Sequence, residues 1–103
     1  MTFLNYSGEV LHLTKSQYQN GTLAVFILDA DGQHYATLSV NLPESVVLPS
    51  DHFFLKGWSE NESIARAAID SGLIEAANPF LYQPVQAGFA RAAVYIVKGA
   101  AND

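Results

Sequence analysis

The dipeptide Asn20-Gly21 is the feature of this sequence that most constrains its fold. Both residues tolerate positive φ, and Asn-Gly between two apolar segments is the typical signal of a two-residue type I′ hairpin turn. The flanking segments, 9–19 and 22–29, are therefore predicted to pair as antiparallel strands. In this register Thr14 lies opposite Ile27.

A second hairpin is predicted to follow directly. Residues 30–32 (Ala-Asp-Gly) can form a type I turn with Gly32 in the left-handed conformation, which glycine adopts without a steric penalty. Pairing of Asp29 with Gln33 then sets the register of the two strands. The two hairpins together predict an antiparallel meander.

The middle strand of this meander, LAVFIL at 23–28, is apolar on both sides. We interpret one side as the core face, formed by Ala24, Phe26, Leu28, Ala36, Leu38 and Val40. The other side, which we name the second face, is formed by Tyr18, Leu23, Val25, Ile27, Tyr35, Thr37 and Ser39. An uncovered apolar face is typical of a partner site. The alternative is that the C-terminal strand or the 78–88 loop covers the second face.

Residues 59–62 (Ser-Glu-Asn-Glu) match the capping box, so a helix is predicted to begin at Ser59. Gly72 supplies the left-handed cap that ends this helix. Apolar residues recur at helical spacing along one side, which predicts that the helix packs on the core face of the sheet.

A brief strand is predicted at 53–56, and a last strand at 89–97 follows a proline-interrupted loop. In a chain of 103 residues, two separate cores would each be marginally stable. The fold class predicted is therefore α+β, an antiparallel β-sheet meander with one α-helix packed on one face, as a single domain over residues 1–103.

The sequence contains no cysteine, which excludes disulfides, thiolate chemistry and cysteine-based metal sites. The N-terminal stretch lacks the basic and apolar regions of a signal peptide, and no segment approaches the ~20 apolar residues of a membrane span. We therefore expect a cytoplasmic protein without a membrane partner.

Ten acidic and five basic residues give a net charge of −5, which disfavours direct binding to nucleic acid. No basic residue lies between Lys15 and Lys56, and four carboxylates fall in that segment: Asp29, Asp31, Glu44 and Asp51. A negative surface is predicted there. It is either a contact for a partner or a set of acidic turns that keeps a small apolar domain soluble.

The three histidines, at positions 12, 34 and 52, are the only side chains of a type that titrates near neutrality unaided. In the predicted register His12 faces Asp29, which would allow a His–carboxylate dyad or half of a metal site. No nucleophile or third ligand follows from the spacing. The sequence thus predicts no catalytic residue, no metal site and no cofactor, and we expect a protein that is not an enzyme.

Four stretches in the first two thirds of the chain form a distinctive set: YSGE at 6–9, NGTLAV at 20–25, GQHYATLSVNLP at 32–43 and KGWSEN at 56–61. Together they resemble a small family of unknown function whose members occur on bacterial phages, plasmids and conjugative elements. That family has no established reaction, so the resemblance carries over no catalytic residue. It implies a context in which small acidic proteins often look like inhibitors of host defence, including anti-CRISPR and antirestriction proteins.

The leading hypothesis is a non-catalytic protein-binding accessory protein of a phage or mobile element that inhibits a host defence nuclease system. Its expected partner is a host nuclease or defence complex. The predicted partner-binding residues lie on the second face and in the acidic segment: Tyr18, Leu23, Val25, Ile27, Tyr35, Thr37, Asp29, Asp31, Glu44 and Asp51. The alternative is a self-associating structural or regulatory module, in which the second face forms a homodimer.

Overall fold

The computed structural model describes residues 3–42 and 48–98. Within them the chain forms strands and one α-helix in the order β1 (Phe3–Tyr6), β2 (Glu9–Gln17), β3 (Leu23–Leu28), β4 (His34–Thr37), β5 (His52–Phe54), α1 (Glu62–Asp70), β6 (Ile74–Ala76), β7 (Val85–Ala87), β8 (Ala90–Ala92) and β9 (Val94–Val97). β1 to β4 form an antiparallel meander, β5, β9 and β6 form a three-stranded sheet in that order, and β7 pairs with β8. The predicted α+β class, an antiparallel meander with a single helix, is confirmed.

The first predicted hairpin is present, but its register differs from the prediction. A three-residue loop at 19–21, with Gly21 at φ 86°, joins β2 to β3. It pairs Ile27 with Leu13 instead of Thr14. Because side chains alternate along a strand, this shift of one residue exchanges the two faces of β3.

The second hairpin turn forms as predicted. The backbone N–H of Asp29 donates to the carbonyl of Gln33 (2.8 Å), and Gly32 has φ 82°. A β-bulge at Tyr35 then shifts the register, so the residues beyond it pair one position later than predicted.

The second face is the core face of the meander. Val25 and Ile27 are both 0% exposed. They pack among meander residues Leu4, Leu11, Leu13 and Leu38, helix residues Ile64, Ala65 and Ala68, and residues in or near the second sheet, Phe53, Leu55, Leu73, Ile74 and Val97. Of the two alternatives for the second face, the structure therefore supports the covered one, because α1 and the three-stranded sheet, including C-terminal β9, lie over it; the hypothesis of an open face is wrong. Phe26 and Leu28, predicted for the core, are half-buried on the opposite side, which we name the outer face.

The chain passes from the meander to the three-stranded sheet at residues 38–40. The N–H of Leu38 donates to the carbonyl of Val25 (2.9 Å), whereas the carbonyl of Leu38 accepts from the N–H of Lys56 (2.7 Å). The buried Ser39 hydroxyl accepts the N–H of Val25 (2.9 Å) and lies 2.8 Å from the Tyr18 hydroxyl. The Ser39 side chain therefore gives the Val25 N–H an acceptor at the point where residues 38–40 diverge from β3.

The helix is confirmed, but it does not begin with the predicted capping box. Ser59 has φ 59° and starts a 3₁₀ turn that leads into α1, and no side-chain cap is formed. The buried Asn61 side chain instead donates to the carbonyls of Thr37 (2.6 Å) and Lys56 (3.1 Å), tying the start of the helix to β4. The predicted end is confirmed, since Gly72 has φ 82° within the two backbone bonds of a Schellman motif.

The C-terminal third differs most from the prediction. The strand expected at 89–97 is divided into β8 and β9, and β6 and β7 were not predicted. A two-residue turn at 88–89 joins β7 to β8, with Gly88 at φ 63° as in a type II′ turn. The brief strand predicted at 53–56 corresponds to β5. Among the residues described, no helical segment has both the length and the apolar character needed to cross a membrane.

Candidate functional site

The predicted residues of the second face divide between the core and one cleft. Val25 and Ile27 are fully buried, and Leu23 packs half-buried beside them. Val25 and Ile27 are therefore not available to a partner in this fold. The other four line a cleft of about 680 Å³ beside β4: Tyr18, Tyr35, Thr37 and Ser39.

The wall of this cleft also contains an ion pair. Lys56 Nζ lies 2.6 Å from Glu60 Oε2, and the hydrogen bond from Lys56 lowers the pKa of the exposed Glu60 carboxyl to about 2. The ring of Tyr6 lies edge-on to that of Tyr35, with their centroids 6.3 Å apart. The two charges of the ion pair are thus already partnered, and the rest of the wall mixes hydroxyl, amide and imidazole groups with apolar side chains.

The acidic segment is not gathered on one surface. Asp29 and Asp31 occupy the β3–β4 turn, where the Asp29 carboxylate accepts the N–H groups of Asp31 and Gln33 (2.9 Å each). Asp51 precedes β5, whose antiparallel run against residues 38–40 carries it away from that turn. Glu44 lies outside the described residues. The described carboxylates of the segment therefore lie at two separate places. One of the carboxylates, that of Asp29, stabilises the β3–β4 turn.

His12 does not face Asp29, because the observed register pairs it with Leu28. Its ring lies edge-on to Phe3, with the centroids 4.5 Å apart. The possible His12–Asp29 dyad is therefore not formed. The cause is the same one-residue shift of register that exchanged the faces of β3. The His34 ring lies edge-on to that of Phe26 on the outer face, with the centroids 6.1 Å apart.

A different His–carboxylate pair is present, and sequence reasoning missed it. Asp51 Oδ1 lies 2.7 Å from His52 Nδ1, and this hydrogen bond lowers the pKa of the Asp51 carboxyl. The His52 ring packs on Tyr82, with the centroids 5.1 Å apart. Within 3–42 and 48–98 no hydroxyl is hydrogen-bonded to this imidazole, and no group of three potential metal ligands is found. In these residues the pair supports Tyr82 and has no nucleophile to activate.

The most exposed apolar side chains lie between β6 and β9, in residues 77–93, which we name the excursion. Phe80 is 91% exposed, Leu81 is 71% exposed and Phe89 is fully exposed. An ordinary globular surface carries single apolar residues, but three large ones within ten positions are typical of a contact surface. None of these three residues is among the partner-binding residues predicted from the sequence.

A hydrogen-bonded turn holds Phe80 and Leu81 outward. Asn78 Oδ1 accepts the N–H of Phe80 (2.9 Å), and the Asn78 carbonyl accepts those of Leu81 (3.1 Å) and Tyr82 (2.9 Å). Pro79 restricts the backbone further. Since the Tyr82 ring also packs at a tilt against that of His52, the base of the turn is anchored to β5. The exposure of both side chains is therefore imposed by the local backbone.

The β7–β8 hairpin presents Phe89 in a similar way. Val85, Ala87 and Ala92 pack on a second core cluster formed around Phe54 and Val94. The opposite side of the hairpin carries the cross-strand pair of Gln86 and Arg91, and Arg91 Nη2 donates to the Pro84 carbonyl (3.3 Å). With one side packed, the hairpin has a fixed position, and Phe89 projects from its tip.

The charge of this region is opposite in sign to that of the rest of the chain. No carboxylate side chain occurs between Glu75 and Asp103, and the only charged side chains in 76–102 are Arg91 and Lys98. The signals that could have located the surface are the Asn-Pro turn followed by two large apolar residues, and Gly-Phe as a two-residue hairpin loop.

No family model, curated protein or solved structure matches this chain. The resemblance to a family of mobile elements stays a prediction from the four quoted stretches.

Proposed function

We propose that this protein is a non-catalytic protein-binding module that contacts its partner through the excursion. The observation that carries the proposal is the fixed, outward presentation of Phe80, Leu81 and Phe89. Burying one such side chain against a partner contributes about 1.5–3 kcal/mol of transfer free energy. Arg91, in the same hairpin as Phe89, adds a residue type that is enriched among the residues that dominate binding energy.

The local fold does not require these residue types. The second position of a type II′ turn accepts small polar residues, so the turn at 88–89 gives no reason for phenylalanine at position 89. Similarly, the turn that begins at Asn78 depends on backbone groups of residues 80–82 and not on their side chains. Exposed aromatic side chains at both places favour a role outside the chain's own packing.

The finer proposal is that the partner belongs to a host nuclease or other defence complex in the cytoplasm, and that binding inhibits it. This proposal is supported by the resemblance of the first two thirds of the chain to a protein family carried by phages, plasmids and conjugative elements. The net charge of −5 also supports it. An acidic chain is repelled by nucleic acid, so inhibition would act on the protein component.

Site-specific crosslinking tests the binding surface directly. A photo-crosslinking phenylalanine analogue is placed at position 89 in bacterial cells, and at the exposed helix position Ser63 as a matched control. We expect a discrete adduct with another protein from position 89 and none from position 63. Equal yields from both positions, or none from position 89, would reject the excursion as the contact surface.

DNA cleavage assays test the finer proposal. Purified CRISPR effector nucleases and restriction endonucleases are incubated with the wild type, the Phe80→Ser/Phe89→Ser variant and the Val10→Ser variant. The last removes a half-exposed apolar side chain from the outer face. We expect at least one nuclease to be inhibited by the wild type and by Val10→Ser, but not by the double variant. A specific adduct at position 89 without inhibition of any nuclease would support protein binding through the excursion and reject a nuclease as the partner.

A further inference from the structure

The Asn20-Gly21 dipeptide closes the first hairpin, and it is also a sequence in which an asparagine can modify itself. In this reaction the backbone nitrogen of the following residue attacks the side-chain amide carbon Cγ. Glycine has no side chain to obstruct the approach. Both residues are exposed, and a Cβ atom built on Gly21 would have no neighbour within 4 Å. The loop therefore leaves the reaction sterically open.

The other asparagines of the described residues lack this combination of features. Asn61 is buried, and its amide is bound to two carbonyl groups. Asn78 is followed by proline, which has no N–H and cannot close the ring in this way. Asn5 and Asn41 are followed by tyrosine and leucine, whose side chains crowd the attacking nitrogen. Asn20 is therefore the position that this chemistry selects.

Hydrogen bonds hold the reacting groups of the loop in place. The Gly21 N–H donates to the Tyr18 carbonyl (2.9 Å), so the attacking nitrogen is engaged in the turn. Asn20 Oδ1 accepts the Thr22 N–H (3.3 Å) and lies 2.8 Å from the Thr22 hydroxyl. Asn20 Nδ2, the leaving group, donates to Asn41 Oδ1 (3.2 Å), which lies 3.1 Å from the same hydroxyl. Attack on Cγ requires these hydrogen bonds to open, because they fix both the nitrogen and the amide that it must meet.

We infer that Asn20 is a site of spontaneous deamidation, and that its hydrogen bond to Asn41 slows the reaction in the folded chain. A bond forms between Gly21 N and Asn20 Cγ, the Cγ–Nδ2 bond breaks, and the proton of the Gly21 nitrogen leaves with Nδ2 as ammonia. Water then opens the cyclic imide at either of its two carbonyl carbons and gives aspartate or isoaspartate. Asn41 is a positioning residue, since it contacts the Asn20 amide but takes no part in the bonds that change.

The modified chain lacks the amide that joins the loop to residue 41. Both products carry a carboxylate in its place, so the donor to Asn41 Oδ1 is lost and the net charge of −5 gains one further negative charge. Isoaspartate also routes the backbone through Cβ, which adds one backbone atom to the loop. Since residue 41 directly follows the junction at 38–40, deamidation removes this link between the first hairpin loop and the junction.

Incubation of the full chain at mildly alkaline pH, in buffer and in concentrated urea, tests the inference. Peptide mass spectrometry measures deamidation at each asparagine, and labelling by isoaspartyl methyltransferase measures isoaspartate. In urea we expect Asn20 to react first and to give both products. In buffer the same products should form about tenfold to a hundredfold more slowly, since each hydrogen bond that must open contributes a factor of about two to ten. Aspartate alone, or another asparagine reacting first in urea, would reject the site. Equal rates in buffer and urea would reject the restraint, and reaction in urea only would reject modification of the folded chain.

Asn41→Ala separates the local restraint from the stability of the whole fold. It leaves residues 18–22 unchanged, so the rate at Asn20 should equal that of the wild type in urea and be about three to ten times higher in buffer. Asn5→Ala, the same change at an exposed asparagine of β1, should keep the wild-type rate in both. Gly72→Ala, which weakens the fold at the far end of the helix, should keep it as well. A wild-type rate for Asn41→Ala in buffer would overturn the restraint, and an equal increase in Gly72→Ala would assign the reaction to global unfolding and overturn it too. Neither result bears on crosslinking at position 89.

Discussion

Replacing Ser39 by alanine tests the passage of the chain between the two sheets. The Ser39 hydroxyl is the acceptor of the Val25 N–H, and Val25 is fully buried. It also lies 2.8 Å from the Tyr18 hydroxyl. Alanine removes both contacts and adds no bulk, so the variant isolates the loss of hydrogen bonds at this point.

The structure sets the size of the expected effect. Leaving a buried N–H without an acceptor costs about 1–3 kcal/mol. The Tyr18 hydroxyl loses less, because it also approaches the Ser39 carbonyl at 3.4 Å and is only partly buried. We expect Ser39→Ala to lower the free energy of unfolding by about 2–3 kcal/mol, and Tyr18→Phe by about 1 kcal/mol. For a chain of this length the former corresponds to a fall in Tm of roughly 10–20 °C.

Urea denaturation followed by circular dichroism measures these changes. Ser16→Ala, at an exposed position of β2, serves as the matched control and should change the free energy of unfolding by less than about 0.5 kcal/mol. If Ser39→Ala were as stable as this control, the Val25 N–H would have another acceptor. The proposed role of Ser39, as the acceptor of the Val25 N–H where residues 38–40 diverge from β3, would then be wrong.

Three further predictions concern the core, the helix end and the ion pair. Ile27→Ala should cost about 2–5 kcal/mol in urea denaturation and Leu28→Ala clearly less, whereas equal losses would contradict the observed register. Gly72→Ala should cost about 1 kcal/mol or more by the same assay, because φ is 82° there, and an unchanged stability would contradict that conformation. The pKa of Glu60, lowered from 4.5 to about 2, makes this group stabilising above about pH 4.5, and the contribution is lost as pH falls towards 2. Lys56→Met should return that pKa towards 4.5 in an NMR titration of the carboxyl carbon, and a pKa that stayed low would show that Lys56 is not its cause.

The hairpins of the meander could be predicted from their turns, but the register of the first could not. Asn20-Gly21 suits a two-residue type I′ turn and also the three-residue loop that forms. In most sheets the pattern of β3 would decide between them. Here LAVFIL at 23–28 is apolar on both sides, so either register sets Leu13 beside apolar side chains. The apolar pattern of β3 therefore does not show which of its two faces points into the core.

The start of the helix shows how a tertiary contact overrides a local signal. Residues 59–62 satisfy the capping box in sequence, yet Ser59 adopts positive φ. Asn61 binds the carbonyls of Thr37 and Lys56, and these acceptors come from distant or preceding segments that a local motif does not include. Gly72 was predictable because the left-handed cap depends only on the residue itself and its neighbours.

The candidate site was the part least accessible from sequence. The apolar strand 23–28 is the more conspicuous feature in the sequence, whereas the most exposed apolar residues lie in the excursion, which was expected to be loop and strand. Strands of three residues, such as β7 and β8, are too short to show alternation. Only the dipeptide Gly88-Phe89 indicated a hairpin there, and its meaning depends on what surrounds it.

Since the backbone at 38–40 is bonded to β3 on one side and to the β5 region on the other, neither sheet can open alone. Amide protons on both sides of this junction should exchange with solvent through one common, cooperative opening. A fragment that stops before residue 52 would expose the apolar side of the meander and is not expected to persist as a folded piece.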